Sequence, residues 1–83
     1  MTIVATFKIA SLQQYMRLAR QAAGLTQDGA AMKISVSDRS LKRYEAGDVV
    51  PGEDIVAAMA RTYRTPELLD YYLENYEERR EAA

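Results

Sequence analysis

The residue types behind most small-protein chemistry are missing from this chain of 83 residues, which has no cysteine and no histidine. Without thiolates or imidazoles there is no disulfide framework, no Cys/His zinc site and no imidazole general base. Carboxylates are the remaining strong metal ligands, and the Asp and Glu residues cluster at no recognisable ligand spacing. No nucleophile–base pair or phosphate loop stands out either, so neither an enzyme nor a metal or cofactor is expected. Charge remains. Asp38-Arg39-Ser40-Leu41-Lys42-Arg43 sets two arginines four residues apart with a lysine between them. A guanidinium is a planar fork of donors that suits paired acceptors. The same spacing also fits an ordinary solvated helix face with no partner.

The rest of the chain must position these cations. Its length allows one domain with one modest core. At 48% apolar and 28% charged residues it has the composition of a globular protein, not a disordered one. The net charge of −1 argues against a nucleic-acid partner, but its distribution is uneven. Residues 1–65 hold nine Lys/Arg against six Asp/Glu, whereas residues 66–83 hold two against six. Two solvated faces explain this as well as a basic binding surface does. No apolar run is long enough to cross a bilayer. The opening Met1–Ala10 carries only Lys8, placed after most of its apolar residues, unlike a secretory signal. A cytoplasmic protein without a membrane partner is expected.

Five helices can be read along the chain. Met1–Ala10 alternates weakly and reads as a short strand or a flexible arm. Ser11 and Gln14 form a capping-box pattern ahead of Leu12, Tyr15, Met16, Ala19, Ala22 and Ala23, which recur at helical spacing. Gly24 closes this first helix. Thr26 caps a short second helix to about Lys33, with Ala30 and Ala31 inward; Gly29 within it costs about 1 kcal/mol relative to Ala. Ile34-Ser35-Val36 is a tight turn. Ser37 caps a third helix with Leu41 and Tyr44 inward and Asp38, Arg39, Ser40, Lys42 and Arg43 outward. Ala46-Gly47-Asp48 ends it. A fourth helix runs from about Glu53 to Tyr63 on a stripe of Ile55, Met59, Ala60 and Tyr63. Thr65-Pro66 starts a fifth, carrying Leu68, Leu69, Tyr72, Leu73 and Tyr76. The expected organisation is an arm at 1–10, an all-α domain at 11–80 and a tail at 81–83.

The motif running from Arg20 through Gly24-Leu25-Thr26-Gln27, Ala30-Ala31, Val36-Ser37 and Glu45-Ala46-Gly47 to Pro51 resembles a known helix-turn-helix family. That family comprises phage Cro and lambda-type repressors and the Xre-type bacterial regulators. The spacing from Thr26 to Glu45 matches without a gap. Met59-Ala60, Tyr63, Pro66 and Leu68 look like the ending of one bacterial branch, so the resemblance covers about Leu12 to Tyr76. It implies a five-helix lambda-repressor-like domain that binds double-stranded DNA as a transcriptional regulator, most simply a repressor. Three positions depart from the pattern. Ser35 replaces a glycine where positive φ is usual, at about 1–2 kcal/mol. Ala30 replaces a leucine, and Gly29 weakens the second helix.

The resemblance also implies roles for individual residues. Asp38, Arg39 and Arg43 face base edges, where each arginine can bridge O6 and N7 of a guanine. Asp38 either accepts from cytosine N4 or supports the helix N-terminus and orients Arg39. Gln27, Ser37, Ser40 and Lys42 meet phosphates. Arg20 and Glu45 form a buried structural ion pair. Family members usually dimerise to read two half-sites, and Tyr71, Tyr72, Leu73 and Tyr76 on the fifth helix are the candidate interface. Alternatively Leu69, Tyr72 and Leu73 finish the core, with Tyr71 and Tyr76 in solvent. The competing function is a protein-interaction module, antirepressor or antitoxin-like, that uses this fold and the fifth helix to hold a partner protein. No small-molecule ligand is expected.

Overall fold

The computed structural model describes the backbone of residues 11–82 and the side chains of residues 11–75; the arm at 1–10 lies outside them. Five helices follow one another: α1 (Leu12–Ala22), α2 (Gln27–Ile34), α3 (Asp38–Ala46), α4 (Glu53–Thr62) and α5 (Pro66–Ala82), with no strand among the described residues. The hydroxyls of Ser11, Thr26 and Ser37 each accept from the backbone N–H three residues on, which starts α1, α2 and α3 where the sequence places them. Gly52 begins α4 without a side-chain cap, and acidic Glu53 and Asp54 occupy its first turn.

The first four helices end alike. Gly24, Ser35, Gly47 and Arg64 all adopt left-handed backbone conformations, at φ of 77, 64, 84 and 56°. At each end two N–H groups turn back to the last turn, as in Leu25 N to Arg20 O (3.2 Å) and Val36 N to Ala31 O (3.0 Å). This satisfies carbonyls that the helix leaves open. The strain anticipated at Ser35 is therefore present, and Arg64 adds a second non-glycine residue in the same conformation.

Leu12, Tyr15, Met16 and Ala19 on α1 are buried against Ala30, Ala31, Ile34, Leu41, Val56, Met59, Ala60, Tyr63, Leu68 and Tyr72. Two expected stripes need correction. Ala22 and Ala23 are exposed, because they lie at the end of α1 where the chain leaves the core. On α4 the buried set is Val56, Met59, Ala60 and Tyr63, a full i, i+3, i+4, i+7 pattern, while Ile55 at its edge is half-buried. Helix α3 packs on α1 and α2; α5 packs on α4 and α1. Tyr15 meets Tyr71 edge-on, with ring centroids 5.3 Å apart. The Tyr72 hydroxyl donates to Pro51 O at 3.0 Å, which pins the loop after α3 to α5.

Candidate nucleic-acid interface

Helix α3 is nine residues long, about 13 Å by the rise of an α-helix. Leu41 is fully buried and Glu45 nearly so, which sets the rotation of the helix and leaves the opposite face to solvent. Asp38, Arg39, Lys42 and Arg43 are all exposed on that face. Lys42 Nζ lies 3.6 Å from Asp38 Oδ2, a solvent-exposed pair one turn apart. Such a pair contributes a few tenths of a kcal/mol at most. Among the described residues no ion pair involves Arg39 or Arg43. At i and i+4 they project side by side.

The N-terminus of α3 is closed locally. Ser37 Oγ accepts from Ser40 N and donates to Ser40 Oγ, both at 3.0 Å. Asp38, in the first turn, suits the positive end of the helix dipole. That placement fits a supporting role for Asp38 at the helix N-terminus.

The inner side of α3 is held by one polar cluster. Arg20 Nε and Nη2 donate to the two oxygens of Glu45 at 2.7 and 3.1 Å, a bidentate pair with both residues under a tenth exposed. Arg20 Nη1 donates to Leu25 O at 2.8 Å. Gln27 Nε2 donates to Glu45 Oε1 at 3.1 Å. One carboxylate at the end of α3 therefore ties down α1 and the first residue of α2, and Arg20 in turn holds the loop between them. Gln27, expected at a phosphate, spends one amide N–H inside the protein and has one more to offer.

The sequence places Tyr63 in the core and gives it no other role. It is 3% exposed, and among the described residues its hydroxyl has no hydrogen-bond partner. Burial pushes its pKa up to about 12; the Glu45 carboxylate adds to the rise and the Arg20 cation opposes it. No residue type in the sequence marks Tyr63 as a neighbour of the ion pair; only the packing of α4 brings it there.

The expected interface on α5 is split. Tyr72 is buried with its hydroxyl bonded to Pro51, whereas Tyr71 and Leu73 are half-buried against the core. The side chain of Tyr76 lies outside the described residues. Among the described residues no group of acidic side chains is arranged to hold a metal, and no helix is long and apolar enough to cross a membrane.

Two short helices joined by a tight turn, the second bearing cations outward over a pinned base, define a helix-turn-helix domain. Residues 12–70 match the helix-turn-helix domain family, and the chain belongs to that family. The membership points to a DNA-binding regulator. No curated protein and no solved structure matches the chain.

Proposed function

We propose that this protein is a sequence-specific transcriptional regulator of the Cro, lambda-repressor and Xre kind, with residues 11–80 as its working unit. It acts as a repressor, covering its operator against polymerase. The observation that carries the reading is the exposed Arg39–Arg43 pair on a helix whose inner side is fixed by Glu45. A rod of this width enters the B-DNA major groove, and each guanidinium can take the O6 and N7 of one guanine. Asp38 holds the helix N-terminus or accepts from cytosine N4. Ser37, Ser40, Lys42 and the second N–H of Gln27 meet phosphates, which set register without reading sequence.

One such helix reads about half a site, and a few phosphate contacts bind weakly at physiological salt. The protein accordingly works as a homodimer through α5. Tyr71, Leu73 and Tyr76 form the contact, with Tyr72 turned into the protomer core. With Tyr72 committed to Pro51 and Tyr71 packed on Tyr15, the described part of α5 has less apolar surface to spare than its sequence suggests, for a second copy and for a partner protein alike.

The test is binding to a duplex selected from a random library, across a salt series. Arg39→Ala with Arg43→Ala should weaken binding by about 2 kcal/mol or more, since a bidentate pair contributes about 1–3 kcal/mol of discrimination. Lys42→Gln should lower the salt slope by about one. Unchanged affinity in the double variant would remove the major-groove reading. Absence of salt-sensitive duplex binding by the wild type would favour the partner-protein reading instead.

A further inference from the structure

Away from α3, the ends of α1 and α4 and the last turn of α2 enclose an open groove of about 770 Å³. Lys33, Arg61 and Arg64 line it together with Ala22, Ala23 and Leu25, and its wall contains neither an acidic side chain nor an α3 residue. All three cations are exposed, and among the described residues none is in an ion pair. Asp70 lines the smaller adjoining groove, which Arg61 and Arg64 also border. The charged residues that line the larger groove are all cations.

Helix electrostatics explain part of this. Lys33 and Arg61 sit in the last turns of α2 and α4, where the dipole favours a positive charge. Arg64 is different. It follows the C-cap of α4 at φ 56°, the place at which α1 uses Gly24. The bonds that close α4, Arg64 N to Arg61 O at 3.2 Å and Thr65 N to Ala60 O at 2.9 Å, are backbone bonds that glycine makes equally well. A side chain at this φ is strained. Strain retained in order to place a guanidinium beside two other unpaired cations points to an anion.

We infer that this groove binds a phosphate-bearing anion. Arg61 and Arg64 supply donor forks, and Lys33 supplies a point charge from the facing helix. Three cations mounted on two separate helix ends match a multiply charged oxyanion better than a single carboxylate. The phosphate belongs either to the DNA backbone or to a small phosphorylated molecule; the chemistry of the groove is the same for both. The inference does not depend on α3 reading the major groove.

Pyrophosphate, titrated into the full-length protein at constant ionic strength against chloride, is the first probe. Backbone amide resonances of Ala23, Leu25, Lys33 and Arg64 should shift and saturate. Arg64→Gly removes the guanidinium and relieves the backbone, so it should fold at least as well and bind about tenfold more weakly, the loss of one charge-assisted contact. Arg17→Gln, an exposed cation on α1 outside the groove, should change nothing. The selected duplex is the second probe. If Arg64→Gly also weakens duplex binding and lowers its salt slope, the phosphate is that of DNA; if only pyrophosphate binding responds, it is that of a small molecule. The groove assignment is overturned if neither probe responds to Arg64→Gly, or if Arg17→Gln weakens binding equally. A wild type that ignores duplex altogether would count against the α3 reading and leave the pyrophosphate result to decide the groove.

Discussion

Glu45 accepts hydrogen bonds from Arg20 Nε, Arg20 Nη2 and Gln27 Nε2 while itself only 6% exposed. Such a carboxylate is stable because both of its oxygens meet donors and a cation faces it. Glu45→Ala should therefore cost about 3–5 kcal/mol in denaturant unfolding, since it strands Arg20 in the interior. Replacing both partners, Arg20→Met with Glu45→Leu, should recover most of that loss, because neither charge is then left buried. Recovery would separate the cost of an orphaned charge from the worth of the pair itself.

Tyr63, which feels the charges of Glu45 and Arg20, has a buried hydroxyl that is unpaired among the described residues. Removing a donor that makes no bond costs nothing in bonding and relieves its desolvation. Tyr63→Phe is expected to be neutral or stabilising by up to about 1 kcal/mol. The phenol's pKa is raised from 10.0 to about 12 on folding. Its contribution is thus complete below pH 10 and is lost as pH rises towards 12, because the unfolded chain releases its proton first. Stability measured across that window should fall in the wild type and fall less in Tyr63→Phe. Tyr15, raised by burial and by Glu67 and Asp70, keeps part of the slope.

At the scale of elements, the helix ends decide how the motif is presented. The turn between α2 and α3 passes through Ser35 at φ 64°. Ser35→Gly should raise stability by up to about 1 kcal/mol without altering the backbone path, which a thermal melt and an amide spectrum can check together. Helix starts were legible because Ser11, Thr26 and Ser37 cap by local chemistry that three residues can specify. The turn at Ser35 was legible only because the motif around it expects glycine. Arg64 was not legible: nothing in Tyr63-Arg64-Thr65 signals a left-handed residue, and the conformation follows from how α5 folds back on α4. The same reason accounts for Val56. Both Ile55 and Val56 are apolar, and the packing of α2 and α5 against α4 chooses between them. The outward set on α3 could be read because Leu41 and Glu45 fix its inner side within one helical turn; the groove of Lys33, Arg61 and Arg64 could not, since it joins residues from helices far apart in the chain.

For the whole molecule, the near-neutral total conceals a division of labour. The basic share of the charge lies in residues 1–65, which include α3, and the acidic share in residues 66–83, which belong mostly to α5. Phosphate repels an acidic surface, so on the proposed reading a DNA-bound protomer would face the duplex with α3 and hold α5 away from it, where a second copy could be met. The Tyr72–Pro51 bond links these two ends through the loop after α3. The central claim is that Arg39 and Arg43 reach guanine in the major groove, and atomic substitution in the DNA tests it most directly. Replacing guanine by 7-deazaguanine at the selected positions deletes the N7 acceptor and leaves base pairing intact. The account predicts that wild-type binding weakens by about 1–3 kcal/mol per contacted guanine, while the Arg39→Ala, Arg43→Ala variant is indifferent to the change. Wild-type binding that does not alter when N7 is removed at every guanine of the site would contradict it.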